Sequence, residues 1–392
     1  MREGERTIYF DHAATTPLDG EVFEKMRPYY TENFGNADSP HSFGRAAMRA
    51  VDAARDRVAE LVGAKPDEIY FTSGGTESDN WAILGAAYAQ RKKGKTRVVV
   101  SSIEHHAALS AAERLEKEGF SVAYLPVNAR GEAETEALRA LLTPETGLVA
   151  VMAANNETGV VQPFKALAKL AHENGSLFFT DAVQAAPYLK IDVADWGADM
   201  LSFSAHKFYG PKGCGALYVK NGVRPGKLIA GGEQERGMRG GTLNVPSVVG
   251  LAAAYEKNVR GMVENNAKIE GLKALFLKKI FSDIEGVKLN GEGAACLPSI
   301  VNLTFEGIDN VAFLYNMDLH GVAVAAGSAC ASASVKPSHV LTAMGLSEKD
   351  ARSSVRFSFG RDNTEEAVPG MIDFVIWIHL GRTGKQIPVQ GF

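Results

Sequence analysis

From about Ala47 to Val62 the apolar residues Val51, Ala54, Val58, Leu61 and Val62 recur at helical spacing, and Gly63 follows as a C-terminal stop, which predicts an amphipathic helix. A short strand, Glu68 to Thr72, comes next. The pattern then alternates: a helix near Glu77 to Arg91, a strand over Arg97 to Ser101, a helix over Ala107 to Lys117 and a strand over Val122 to Pro126. Further β-rich runs at Leu148 to Ala153, Leu177 to Thr180, Met200 to Phe203 and Ala216 to Val219 are separated in several places by helical stretches such as Phe164 to Glu173. Such alternation predicts an α/β domain whose largely parallel sheet is covered by helices on both faces. Around Pro246 to Phe281 the reading changes to a long, mostly helical stretch, and the strands near Ile300 to Phe305 and Val355 to Ser358 belong to a different mixture. We therefore expect a large domain over residues 15–260 and a smaller α+β domain over 261–392 that also takes in residues 1–14.

Composition narrows the class of function. The 392 residues correspond to two or three structural units, and 45% hydrophobic with 22% charged residues is ordinary for a chain with a sizeable core, which excludes disorder. With 46 acidic against 42 basic side chains, the net charge of −4 gives no drive toward nucleic acid or anionic lipid, so a small partner and no stable nucleic-acid binding are expected. Three cysteines, Cys214, Cys296 and Cys330, are too few and too scattered for a disulfide framework, and none forms a CxxC pair that would hold structural zinc. A reducing, cytoplasmic setting is expected. Met1 to Phe10 carries charges where a signal peptide needs an apolar stretch, and runs such as Phe374 to Ile378 fall far short of the roughly 20 residues that span a bilayer.

Ligands of open α/β sheets gather at the carboxyl ends of the strands, so the residues after each predicted strand carry the candidate chemistry. In Thr72-Ser73-Gly74-Gly75-Thr76-Glu77 a glycine turn opens onto a helix, whose free N–H groups and dipole suit a phosphate; the alternative is a plain turn in which Ser73 or Thr76 caps the helix. The P-loop lysine is missing, which disfavours a nucleoside triphosphate. Glu104-His105-His106 offers an imidazole, but adjacent histidines point in different directions and are a poor metal pair. The amides of Asn155-Asn156-Glu157-Thr158-Gly159 either position a polar ligand or close a turn. Asp181 follows the apolar Leu177-Phe178-Phe179 and requires a cation or donors where it is buried. Ser202 to Gly213 sets Lys207 among hydroxyl and imidazole donors with glycines behind it, as an imine-forming lysine beside a phosphate site needs. Together these ends offer a phosphate cradle, an aspartate for a ring nitrogen, an imidazole for stacking and an amine, and pyridoxal phosphate needs all four.

With these residues in hand the chain resembles the cysteine desulfurases of the NifS and IscS type (group I), within the class V aminotransferase group of fold-type I pyridoxal-phosphate enzymes. The matching stretches are Tyr9-Phe10-Asp11-His12-Ala13-Ala14-Thr15-Thr16-Pro17, Phe34-Gly35-Asn36, Phe71 to Asn80, Asn155 to Gly159 and Ser204-Ala205-His206-Lys207. The resemblance implies a mostly parallel seven-stranded sheet in the large domain. It further implies that Lys207 holds the cofactor covalently, Asp181 pairs with the pyridinium nitrogen, His105 stacks on the ring and Gln184 faces its phenolic oxygen. Gly75, Thr76, Ser204 and His206 would hold the phosphate, with Thr242 reaching it from the second subunit of a homodimer, and Asn156 would sit near the ring hydroxyl and the substrate.

Gly327-Ser328-Ala329-Cys330-Ala331-Ser332-Ala333-Ser334 looks like the catalytic-cysteine loop of that group, so Cys330 is the expected nucleophile, while Cys214 and Cys296 are read as inert buried thiols. Arg356 matches the family arginine that clamps the substrate carboxylate through two parallel hydrogen bonds; a structural salt bridge is its alternative. The activity implied is conversion of L-cysteine to L-alanine, with Cys330 carrying the sulfur as a persulfide to acceptors for iron–sulfur assembly or other thiolation, an acceptor scaffold of the NifU/IscU type among them. No resident metal is implied, beyond a transient iron–sulfur contact at Cys330. A selenocysteine lyase or another class V aminotransferase is the alternative enzyme, and a non-catalytic sulfur-carrier scaffold the alternative of another class. The ending, Leu380 to Phe392, departs from the IscS segment that docks its scaffold.

Overall fold

The computed structural model describes residues 8–327 and 337–383. Twelve strands are formed among them: β1 (Ile8–Tyr9), β2 (Ile69–Thr72), β3 (Arg97–Ser101), β4 (Ser121–Leu125), β5 (Thr146–Ala150), β6 (Leu177–Asp181), β7 (Met200–Ser204), β8 (Gly215–Val219), β9 (Val287–Leu289), β10 (Ile300–Phe305), β11 (Val322–Ala323) and β12 (Ser354–Ser358). Seven make the central sheet, in the order β2-β8-β7-β6-β5-β3-β4. β7, β6, β5, β3 and β4 run parallel to one another, whereas β8 is antiparallel to both β2 and β7. The expected seven-stranded, mostly parallel sheet is present.

Period-two alternation divides the inner residues of the strands between two apolar layers. Val149, Phe178, Leu201 and Phe203 join the cluster on one face, and Leu148, Ala150, Phe179 and Met200 join that on the other. Both faces are covered by helices, which is why these strands read as continuous apolar runs. The helix Gly75–Arg91 covers one face with Trp81, Ile83 and Leu84 fully buried. Helix Ser42–Val62 covers the other and begins five residues before the apolar period, because the His41 side chain accepts the Gly44 N–H and caps it there.

The layers on the central sheet make up the first core of the chain, and a second cluster surrounds the antiparallel sheet β12-β10-β9. It takes in Phe10 beside β1, which pairs in parallel with β11. One helix, Val245–Asp283, serves both clusters: Val248, Leu251 and Tyr255 pack on the first, Ile269, Leu272, Phe276 and Ile280 on the second. A closing helix, Ala367–Thr383, was not expected from the sequence; it lays Val368, Met371, Ile372 and Val375 into the second cluster.

Candidate active site

Five chain segments that end or follow central strands converge on one cavity of about 200 Å³, joined by Arg356 from β12. After β2, Gly74 adopts φ 151°, a conformation open to glycine, and the helix Gly75–Arg91 starts without a side-chain cap. The capping alternative for Ser73 and Thr76 therefore fails; instead Glu77 reaches back to the Ser73 N–H (2.9 Å) and takes both arms of Arg239 (2.8 and 2.9 Å). A Cβ on Gly75 would lie 2.8 Å from Val183 Cγ2, so only glycine fits under the cavity floor. The first amides of a helix have no intrahelical acceptor, and here, beside Gly75 and Thr76, they face a cavity that Ser204 and His206 also line.

His105 follows β3 and caps the helix His106–Lys117, its Nδ1 accepting the Ala107 N–H at 3.1 Å, which leaves the ring proton on Nε2. Burial, assisted by the Lys207 charge, lowers its pKa to about 4, so the ring is neutral near pH 7. His106 turns away from the cavity, and its ring meets that of His339 at 4.7 Å. Among the described residues no group of three or more His, Cys, Asp or Glu side chains is placed to hold a metal ion.

Asp181 is the last residue of β6 and is 5% exposed. Its Oδ1 accepts the Val183 N–H at 2.7 Å, yet burial dominates and pushes its pKa up to about 6. Such a carboxylate lacks a strong partner, and a protonated ring nitrogen would supply one. Beside it in β7, Ser202 donates to Asp79 (2.5 Å). Asp79 is fully buried and held well above the usual carboxylate range, first by burial and then by the Asp181 charge. It lines the cavity but was not singled out from sequence; the available signal is its position four residues after Gly75, on the same helix face.

Lys207 ends the short turn Ala205–Lys207 behind β7, and its Nζ donates to the carbonyls of Ala13 (2.6 Å) and Ala14 (2.8 Å). The same Ala13 carbonyl accepts from the Gln184 amide (2.8 Å). His206 Nδ1 lies 3.1 Å from Thr15 Oγ1, and burial lowers its pKa to about 4. Thus Ala13 and Ala14, a long way off in sequence, form one wall of the cavity.

The turn after β5 is built by Asn155, whose Oδ1 accepts the N–H groups of Glu157 (2.9 Å) and Thr158 (3.0 Å), and this aims Asn156 into the cavity. Arg356 is 1% exposed. It donates to the Asn156 carbonyl and to Asp11, each at 2.8 Å, while its Nε is buried without a hydrogen-bond partner. A buried guanidinium with an unused donor at a cavity wall fits an anionic ligand such as a carboxylate. The salt-bridge alternative is also real, through Asp11, and the two uses engage different nitrogens.

Ten of the residues expected from sequence thus meet at one cavity: Gly75, Thr76, His105, Asn156, Asp181, Gln184, Ser204, His206, Lys207 and Arg356. Thr242 is exposed and is not among the residues lining it. Cys330 lies outside the described residues. Cys214 is buried, with its thiol pushed up to about 12, but Cys296 is exposed, which corrects the expectation that both are buried. The donor set matches pyridoxal phosphate group by group: helix amides and hydroxyls for a dianion, an underpaired carboxylate for a cationic nitrogen, a neutral imidazole for a ring face and an amine for a carbonyl carbon.

The aminotransferase class-V family model matches residues 8–370. A protein named cysteine desulfurase IscS from Clostridium botulinum (strain Hall) is 48% identical over 373 residues, covering 95% of this chain and 93% of that protein. A putative cysteine desulfurase IscS 1 from Bacillus subtilis (strain 168) is 46% identical, covering 92% and 95%. Among solved structures, a NifS-like protein superposes with TM-score 0.89 at 35% identity over 95% of this chain and 99% of its own. SspA in complex with cysteine gives TM-score 0.81 at 38% identity over 91% and 100%.

Proposed function

Since the chain belongs to the aminotransferase class-V family, with fold-type I architecture, we propose that it is a pyridoxal-phosphate-dependent cysteine desulfurase that converts L-cysteine to L-alanine and passes the sulfur on as a persulfide. The observation that carries this reading is the meeting of an amine (Lys207), a buried carboxylate (Asp181), a neutral imidazole (His105) and an unsaturated guanidinium (Arg356) at one cavity. When bound, the cofactor supplies the electron sink that makes removal of the substrate Cα proton feasible.

The chain's own residues then divide the work. Gly75, Thr76, Ser204 and His206 would hold the phosphate, Asp181 the ring nitrogen, Gln184 the phenolic oxygen and His105 the ring face. Arg356 binds the substrate carboxylate through its spare Nε and fixes the amino acid's orientation, with Asn156 beside it. Lys207, held by two carbonyls in the structure, moves the Cα proton once its amine is freed. His105, neutral and with its proton on Nε2, lines the same cavity and exchanges the proton of the substrate thiol. The Cys330 thiolate attacks the substrate sulfur: an S–S bond forms, the Cβ–S bond breaks with its electron pair left on carbon, and protonation there gives alanine.

Around this core we read two units, residues 15–260 and residues 1–14 with 261–392. We also read a homodimer in which the partner's copy of the Arg239 to Thr242 stretch reaches the phosphate; the exposure of Thr242 supports this. The relatives named IscS support an acceptor in iron–sulfur assembly, of the NifU/IscU scaffold type. Among the described residues no helix is long and apolar enough to cross a membrane, and a cytoplasmic setting is the reading we adopt. The test is alanine and sulfide production from cysteine by the wild type and Cys330→Ala side by side. The variant is expected to keep the absorption of bound cofactor and to release neither product; undiminished turnover would overturn the nucleophile.

A further inference from the structure

The described residues on either side of positions 328–336 make contacts that no step above uses. On the approach, the Ala325 N–H and carbonyl pair with the backbone of Arg356 (3.2 and 2.6 Å), and Gly327 follows at φ 71°, where an added Cβ would lie 3.3 Å from Glu157 Oε2. On the return, Ser338 Oγ donates to that same Oε2 at 2.5 Å. Glu157 is 1% exposed, and its backbone is held by Asn155 Oδ1 at its N–H and by the Asn302 amide at its carbonyl. One immobile carboxylate therefore sits between Gly327 and Ser338.

The next residue makes a second tie. His339 Nε2 lies 2.9 Å from the carbonyl of Glu104, and since a carbonyl only accepts, this nitrogen carries the ring proton. Glu104 immediately precedes His105, and its own Oε1 accepts the Met152 N–H at 2.6 Å. The His339 ring also packs on His106. Both ties thus end on residues adjacent in sequence to cavity residues: Glu157 follows Asn156, and Glu104 precedes His105. Neither Glu157 nor His339 lines the cavity, so neither is placed to touch substrate or cofactor.

We propose that Glu157 and His339 are positioning residues for sulfur transfer, registering the two ends of the chain segment that carries Cys330 against the walls that hold the amino acid. The proposal rests on Cys330 being the nucleophile. Its physical content is that attack on sulfur needs a thiolate delivered to a bound substrate, and a misplacement of about 1 Å in such a step costs up to about a hundredfold in rate. Removal of the Cα proton from a bound amino acid needs no cysteine and does not sense this registration.

The two steps can be measured apart on the pyridoxal-phosphate-loaded enzyme. Exchange of the alanine Cα proton with deuterated solvent reports the first; alanine formed from cysteine in a single turnover reports the second. Ser338→Ala, which removes the donor to Glu157, and His339→Phe, which removes the donor to Glu104, are expected to slow the second by about tenfold or more while leaving exchange within about twofold. His339→Gln, which keeps an N–H donor, should recover most of the loss. If all three variants turn over cysteine like the wild type while Cys330→Ala is inactive, the proposal fails and the desulfurase reading stands. An active Cys330→Ala would strike that reading instead, and the proposal with it. Equal losses in exchange and turnover would show general destabilisation and also overturn it.

Discussion

Arg55 and Glu235 form an ion pair sealed inside the protein, and replacing Glu235 by glutamine isolates what that pair contributes. The side chains are 9% and 0% exposed, and the guanidinium presents two nitrogens to the two carboxylate oxygens at 2.7 and 2.8 Å. Arg55 also donates to the Ile69 carbonyl (2.7 Å), and Glu235 accepts the Phe71 N–H (3.0 Å), so the pair stitches the edge strand β2 to the helix Ser42–Val62. Glutamine keeps one acceptor but turns an amide N–H toward the guanidinium and leaves its charge unbalanced in a site that excludes water. Breaking a buried pair from one side costs about 3–5 kcal/mol, whereas replacing both partners by apolar residues of similar volume is often neutral. Urea unfolding, followed by the fluorescence of Trp81, which packs on Tyr70 in the same strand, should show Glu235→Gln less stable by that amount. Arg55→Met with Glu235→Leu should be less damaging than either single change. Glu60→Gln, which removes the surface pair with Arg57 (35% and 69% exposed), should cost under about 1 kcal/mol. A buried-pair loss as small as that of the surface control, or strict additivity in the double variant, would refute the reasoning.

Three further outcomes are expected. Gly75→Ala should weaken pyridoxal-phosphate binding by about tenfold in an absorbance titration, because of the 2.8 Å approach to Val183 Cγ2, and Val183→Ala should restore it in the double variant. His12 is 4% exposed, and burial lowers its pKa from 6.5 to about 4; its contribution to stability is complete above pH 6.5 and is lost as pH falls toward 4. The urea midpoint should therefore drop across that window, and His12→Asn, which takes up no proton, should show a decline shallower by up to about 1.4 kcal/mol per pH unit. Native protein treated with a thiol reagent at pH 8 should leave Cys214 unmodified and modify Cys296, a difference read by peptide mass.

What the sequence made legible follows from where its signals are local. Strands buried on both faces appear as apolar runs, and a polar residue directly after such a run marks a strand end, which is how Asp181 and Lys207 were found without any knowledge of the pairing. Signals that depend on a distant partner were invisible. Glu235 gives no sign in its own neighbourhood that Arg55, 180 residues away, will neutralise it. Asp79 follows Thr76-Glu77-Ser78 and precedes Asn80, so it reads as one more polar residue of a helix's first turns, and its burial is explained only by Ser202 in β7. The antiparallel direction of β8 is a property of a connection rather than of its residues. The helix Ala367–Thr383 was missed for a different reason: residues on several of its faces are apolar, so it has no polar stripe to reveal a period of 3.6. Arg356 was expected as a clamp, but its division of labour between Asp11 and an unused Nε needed the geometry.

The helix Val245–Asp283 gives the molecule a rigid axle. At 39 residues it is about 58 Å long, and each half is gripped by a different core. Lys207 follows β7 of the sheet packed on its first half, and Arg356 belongs to the sheet packed on its second. Rocking one core against the other to admit an amino acid would have to bend that axle or tear one set of apolar contacts from it. The spacing between amine and guanidinium is thereby tied to one helix: a change in it has to be taken up by that helix or by the apolar contacts along it.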